Sequence, residues 1–131
     1  MIESVQRFFT RKIPCLQYMR YAERLRTLQI PSLERRRLHA DLIFCYKILN
    51  GFVEGPPSSY GIVLSERQSR GHSQKLLVQH ARVNVRKSYF SCRVSEPWNS
   101  LPESAINATS VFAFKKELFL CNLDKFLILG F

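Results

Sequence analysis

The sequence predicts a mainly α fold with one short β segment: a small helical domain with a Gly/Pro hinge and a C-terminal helix. Three observations carry that expectation. Apolar residues recur at steps of three and four from Ile2 to Asn50 and again after Ser110, the period of one helix face. Between these regions, Gly55-Pro56-Pro57-Ser58-Ser59 interrupts helix and sheet alike. From Lys75 to Val85 the pattern loosens toward alternation, with Leu77, Val83 and Val85 set among polar residues, which reads as one or two short strands.

Taken in order, Ile2, Val5, Phe9 and Ile13 form one face of a first helix, which Pro14 stops. Tyr21, Leu25 and Leu28 mark a short second helix. The strongest helix runs from Leu33 to Asn50. Ser32 is its N-cap, Glu34 lies in the first turn where the helix dipole favours a negative charge, and Leu38, Leu42, Cys45 and Leu49 share a face. Asn50-Gly51 ends it, because glycine takes the left-handed cap conformation without a Cβ penalty. Ile43, Phe44, Tyr46 and Ile48 widen the apolar face, so this helix is expected centrally, packed on more than one side. A linker follows over 52–60, then a polar, basic, exposed stretch from Ser65 to Ser73. The segment from Arg86 to Val94 fits either a strand or the start of a helix, and Pro97 is expected to keep such a helix from running through Trp98. Pro97 and Pro102 bracket a turn in which Trp98 and Leu101 plug the core, while Asn99 or Ser100 bonds local backbone groups. Ser110 caps a final helix with Val111, Phe114, Leu118 and Cys121 on one face, and Phe112 and Phe114 are read as packing. The apolar end, Phe126 to Phe131, either docks on the core or covers a partner. The organisation expected is a helical half over 1–51, a Gly/Pro-rich and basic linker over 52–74, and a mixed half over 75–131 ending in a helix.

At 131 residues and 46% hydrophobic, the chain has the size and apolar content of one modest core. Twenty Lys and Arg against ten Asp and Glu give a formal charge of +10. That excess favours polyanionic partners: RNA or DNA first, an anionic membrane surface second. The plainer explanation is that the charge keeps a small domain soluble or balances an acidic neighbour. Cys15, Cys45, Cys92 and Cys121 are spread without a Cys-x-x-Cys pair, and no histidine stands within four residues of a cysteine, so neither a zinc site nor a bound cofactor is read from them. Cys45 and Cys121 are read as small buried hydrophobes. There is no secretory leader and no run long enough to span a bilayer, so an intracellular location, nucleus or cytoplasm, is expected.

Phosphoryl-transfer chemistry needs acidic residues gathered around divalent metals, and here they are few and scattered. A Tyr-x-Asp-Asp type motif, a Walker loop, a His-Glu-x-x-His helix and a Gly-x-Ser-x-Gly elbow are all absent, and no catalytic residue is assigned. The basic residues form three groups. Arg35-Arg36-Arg37 spreads over the first turns of the central helix, where either phosphate contact or pairing with Glu34 and Asp41 is open, and at least one must face solvent. Arg67, Arg70, His72 and Lys75 surround Gly71 on a segment read as a loop, where Arg70 offers a planar fork suited to phosphate, and a plain solvated loop is the equal alternative. Arg82, Arg86, Lys87 and Arg93 interleave with Tyr89 and Phe90, a pairing suited to backbone neutralisation plus base stacking on a single strand, though aromatics at such spacing also build cores. The candidate nucleic-acid contacts are therefore Arg70, His72, Lys75, Arg82, Arg86, Lys87 and Arg93.

Several blocks, in order, resemble one family. They are Val5-Gln6-Arg7-Phe8-Phe9-Thr10-Arg11-Lys12-Ile13, Tyr21-Ala22-Glu23-Arg24-Leu25, Ser32-Leu33-Glu34-Arg35-Arg36-Arg37-Leu38, Tyr46-Lys47-Ile48-Leu49-Asn50-Gly51, Arg70-Gly71-His72-Ser73-Gln74-Lys75-Leu76, Phe90-Ser91-Cys92-Arg93-Val94, Trp98-Asn99-Ser100-Leu101-Pro102 and Ser110-Val111-Phe112-Ala113-Phe114-Lys115. Together they look like the segment C-terminal to the polymerase core in the reverse transcriptase polyprotein of non-LTR, LINE-type retrotransposons, jockey-like and chicken-repeat-like elements among them. The resemblance implies a non-catalytic accessory segment that helps hold template RNA or target DNA, with Met1 an internal methionine of the parent. The alternatives are a docking segment for the missing polymerase domains, or a vestigial fragment.

Overall fold

The computed structural model describes residues 2–67 and 69–131. These residues are mainly helical: α1 (Ile2–Lys12), α2 (Tyr21–Leu28), α3 (Leu33–Leu49), α4 (Asn84–Lys87), α5 (Phe90–Asn99), α6 (Glu103–Ile106) and α7 (Val111–Leu120), with 3-10 turns at Pro57–Tyr60 and Asp124–Phe126. The chain forms two compact units, one from Met1–Leu38 with Asp124–Phe131 and one from His39–Leu123.

In the first unit, α1 has the expected length but turns a polar face inward. Glu3 and Thr10 are buried and Gln6 is half-buried, whereas Ile2, Val5, Phe8 and Phe9 are exposed. The buried side chains each satisfy a neighbouring element. Glu3 accepts the backbone N–H groups of Leu33 and Glu34 at 3.2 and 3.0 Å, so its carboxylate lies on the free donors at the start of α3, where negative charge is favoured. It also accepts the Tyr21 hydroxyl. Gln6 donates to the Pro31 carbonyl at 3.0 Å, and Thr10 accepts from Arg24 Nε at 3.1 Å. Ser32 caps α3 as expected, accepting the Arg35 N–H at 3.2 Å. The apolar C-terminal segment docks within this unit. Leu127 is buried, Ile128 and Leu129 donate their N–H groups to the Glu34 carboxylate at 2.6 and 3.1 Å, and the Phe131 ring meets Tyr21 edge-on.

In the second unit, the remainder of α3 buries Leu42, Cys45, Tyr46 and Ile48. Its Tyr46 ring stacks on Phe114 of α7, centroids 4.4 Å apart, and Phe114 in turn meets Trp98 of α5 at 5.9 Å. On another face Phe44 meets both Tyr60 and Phe90 edge-on. α3 therefore packs on more than one side, as its broad apolar face requires. Its end is a Schellman cap: Gly51 has φ +74°, Phe52 N–H bonds Lys47 O at 2.9 Å and Gly51 N–H bonds Ile48 O. Ser110 Oγ accepts the Ala113 N–H at 3.1 Å, starting α7 as expected, and Phe114 and Leu118 are buried. Phe112 is exposed, so of the two aromatics read as packing only Phe114 is core. The Gly/Pro stretch is folded locally: Pro57 opens a 3-10 turn that Gly61 closes at φ +73°, and the Tyr60 hydroxyl bonds Glu54 O at 2.6 Å.

Two further expectations are corrected. No strand forms among the described residues. Where a β segment was expected there is a single antiparallel bridge, Leu64 with Leu76, held by Ser65 N–H to Lys75 O at 2.8 Å and Leu77 N–H to Val63 O at 2.7 Å. The other edge of Leu76 is taken by a side chain. Asn99 accepts its N–H at 2.7 Å and donates to its carbonyl at 2.9 Å, so both backbone groups that would pair a further strand are occupied. The second correction concerns Pro97, which lies inside α5 rather than ending it. The ring costs the helix the bond that Arg93 O would have received, but α5 stops two residues later. Burial of Pro97 and Trp98, with Ser100 Oγ donating to Pro97 O at 2.7 Å, offsets that loss.

Candidate nucleic-acid interface

Between Glu66 and Glu96 the sequence contains no Asp or Glu, while Arg67, Arg70, Lys75, Arg82, Arg86, Lys87 and Arg93 all fall there. The whole run belongs to the second unit. The fold divides its seven candidate contacts into side chains already engaged and side chains left to solvent.

His72 is engaged in the interior. Its ring is buried, Nδ1 accepts the Gln74 N–H at 3.2 Å, and Nε2 lies 3.0 Å from Trp98 O. With Nδ1 accepting, Nε2 must carry the proton and donate, which fixes the neutral tautomer. Burial pushes the His72 pKa down, only partly opposed by the Trp98 carbonyl bond. Trp98 completes the link by donating Nε1–H to Gln74 O at 2.9 Å. The blocks around His72 and Trp98, separate in sequence, are thus one clamp in which α5 grips residues 72–76 through Trp98 and Asn99. Both the depth of His72 and this long-range role of Asn99 were illegible in the sequence, since the partners stand 26 and 23 residues away.

Lys75 and Arg93 are partly engaged. Lys75 Nζ donates to Arg70 O across the turn at Gly71 (φ +105°), where a Cβ would lie 3.2 Å from the lysine chain. Glycine there meets both the positive φ and the close approach. Arg93 makes a side-on pair with Asp41, Nε to Oδ2 at 2.9 Å and Nη2 to Oδ1 at 3.0 Å, and also donates to Ser88 O. The planar fork suits that carboxylate geometry.

Arg70, Arg82, Arg86 and Lys87 are exposed, and among the described residues none of them forms an ion pair. Arg86 and Lys87 lie in the last turn of α4. Directly after it Tyr89 is exposed, while Phe90 turns inward against Phe44. The two aromatics read together in the sequence therefore separate, one available for stacking and one committed to packing.

Among the described residues the arginine run on α3 does not pair with Glu34 and Asp41 as one reading had it, and at least one of its side chains faces solvent as expected. Arg35 bonds Asp124, Asp41 takes Arg93, and Glu34 takes backbone donors near the C-terminus; Arg36 and Arg37 face solvent. All four cysteines are free thiols. Burial pushes Cys45 up to about 12, while half-buried Cys121 is raised by burial and then by Glu117. Among the described residues no three His, Cys, Asp or Glu side chains are grouped to share a metal ion, and no helix is long and apolar enough to cross a membrane. No protein-family model, curated protein or solved structure matches the chain.

Proposed function

We propose that this chain is a non-catalytic accessory segment of the kind that follows the polymerase core in non-LTR retrotransposon reverse transcriptases, and that it assists RNA or DNA binding by neutralising backbone phosphates. The observation that carries the reading is the carboxylate-free run between Glu66 and Glu96, whose Arg70, Arg82, Arg86 and Lys87 stand exposed and unpaired among the described residues. These four are the phosphate contacts of the proposal, with Tyr89 as a stacking surface and Lys75 and Arg93 at the margin, each already holding a neighbour. His72 supports the loop from inside instead of meeting a ligand. Releasing about four condensed counterions gives affinity for a single strand that falls with log salt at a slope near −3. Fluorescence anisotropy of labelled single-stranded RNA and DNA across a salt series tests this; a flat dependence, or no binding in dilute buffer, overturns the contact assignment. The parentage has its own test in the genomic sequence upstream of Met1, where an in-frame polymerase core is expected and host exons would count against it.

The exposed face of α1 favours a second reading, docking on neighbouring polymerase domains. Ile2, Val5, Phe8 and Phe9 present large apolar side chains to solvent on one short helix. On that reading the isolated chain binds dyes for exposed hydrophobic surface and unfolds without a cooperative transition, whereas a sharp two-state melt of a monomer opposes it.

A further inference from the structure

We infer that the cleft between α1 and α2 is a second anion site, built to seat a phosphoryl group of a single nucleic-acid strand; this rests on the nucleic-acid reading above but on different residues. The cleft encloses about 450 Å³ and is lined by Arg7, Phe8, Arg11, Arg20, Tyr21 and Arg24 among others. Four guanidinium groups thus border one cavity, and no carboxylate does among the described lining residues. Glu3 holds the Tyr21 hydroxyl and caps the start of α3, and it lines a different cavity. Glu23 is exposed and accepts the Arg20 N–H at 3.1 Å, closing the first turn of α2.

Arg24 is the informative member. Its residue is only 4% exposed, yet all of its bonds go to neutral oxygens: Nε to Thr10 Oγ1 at 3.1 Å, Nη1 to Met19 O at 2.6 Å, and Nη2 to Arg7 O at 3.4 Å. A cation held this deep without a counter-charge is costly unless an anion completes it. Arg7 and Arg24 both lie against the Tyr21 ring, 5.0 and 5.5 Å from its centroid, and these cation–π contacts partly offset their like charge. A tetrahedral oxyanion entering the cleft accepts charge-assisted bonds from several forks at once, the geometry arginine favours.

A strand of nucleic acid fits better than a membrane surface. The cation to be neutralised is only 4% exposed, which suits a phosphate carried on a flexible single strand better than a flat headgroup layer. Aromatic faces also flank the cleft: Phe8 lines it, and Tyr18, 92% exposed, lines the adjoining depression that shares Arg11. Guanidinium groups alternating with exposed rings suit a backbone-tracking, base-stacking mode.

The test uses the full chain and a labelled twelve-nucleotide oligouridylate. Arg7→Gln with Arg11→Gln, both on exposed side chains so that the fold is retained, is expected to weaken binding by about tenfold or more and to reduce the salt slope by about 1.4. The charge-matched control Arg26→Gln with Arg36→Gln stays within about twofold of wild type. An Arg7/Arg11 variant within about twofold of wild type overturns the inference, as does an equal loss in the control. So does a wild-type chain that binds phosphatidylserine vesicles but not the oligonucleotide. The triple variant Arg82→Gln, Arg86→Gln, Lys87→Gln separates the two proposals. If it alone loses binding, the cleft inference fails and the contact set of the second unit stands. If only the Arg7/Arg11 variant loses binding, the cleft stands and that contact set fails.

Discussion

Asn99 holds Leu76 by both of its backbone groups, an arrangement in which one side-chain amide takes the place of a neighbouring strand. Leu76 is buried, so removing the amide leaves a donor and an acceptor unsatisfied away from water. Asn99→Ala is expected to cost about 2–3 kcal/mol in urea unfolding. Asn99→Asp is expected to cost nearly as much, because it keeps the acceptor for Leu76 N–H but sets an oxygen against the Leu76 carbonyl. An Asp variant as stable as wild type would show that the amide donor is dispensable. His72 adds a pH dependence. Its folded form is the neutral ring with Nδ1 accepting from Gln74, and its pKa is lowered by burial, so the unfolded chain takes up the proton first. Its contribution to stability is whole above the ordinary histidine value of about 6.5 and is lost as pH falls through the depressed folded value. Urea midpoints are therefore expected to drop between pH 7.5 and pH 5, and His72→Gln should flatten that drop; an unchanged slope in the variant would assign the effect elsewhere.

The positions of α1, α2, α3 and α7 followed closely from local chemistry, because a cap, a proline or a glycine acts within a turn of where it stands, whereas α4, α5 and α6 lie where loose alternation and two prolines left strand, helix and turn unresolved. Pro14 follows the end of α1, Ser32 and Ser110 cap α3 and α7, and Gly51 closes α3. What local chemistry left open was the direction each face takes. The apolar stripe of α1 is legible from its spacing, yet Glu3, Gln6 and Thr10 make the contacts inside the first unit, because only they offer partners to the open end of α3, to Pro31 and to Arg24. The end of α2 shows a cap with an unsuited residue. Gln29 sits at φ +55° in a Schellman arrangement, with Ile30 N–H on Leu25 O and its own N–H on Arg26 O, both at 3.1 Å. A side chain with a Cβ is disfavoured there by roughly 1 kcal/mol. Gln29→Gly is therefore expected to raise stability by about 0.5–1 kcal/mol in thermal or urea unfolding, and a loss would mean that Gln29 makes a contact outweighing its backbone strain.

Across the molecule, the net charge of +10 was plain from composition, but composition does not say which charges remain available. Arg35 and Arg93 are spent on Asp124 and Asp41 and Lys75 on a loop carbonyl, while Arg70, Arg82, Arg86 and Lys87 in the second unit and Arg7, Arg11 and Arg20 in the first remain exposed. The four exposed side chains of the second unit contribute about −3 to the salt slope and Arg7 with Arg11 about −1.4 more, still short of what ten excess charges would give. The two compact units were hidden for a related reason. One of them draws on both ends of the chain, and a grouping between Glu34 and residues 128–129 has no local sign in the sequence.

By itself the sequence determined α1, α2, α3 and α7, the caps at Ser32, Gly51 and Ser110 and the basic excess, since each depends on residue type within a turn or on composition. Tertiary structure alone decided that Asn99 displaces a strand, that His72 is interior, that the stripe of α1 faces solvent and that four arginines meet in one cleft. Those outcomes turn on which distant donors and acceptors come within about 3 Å of one another, and spacing along the chain does not encode that.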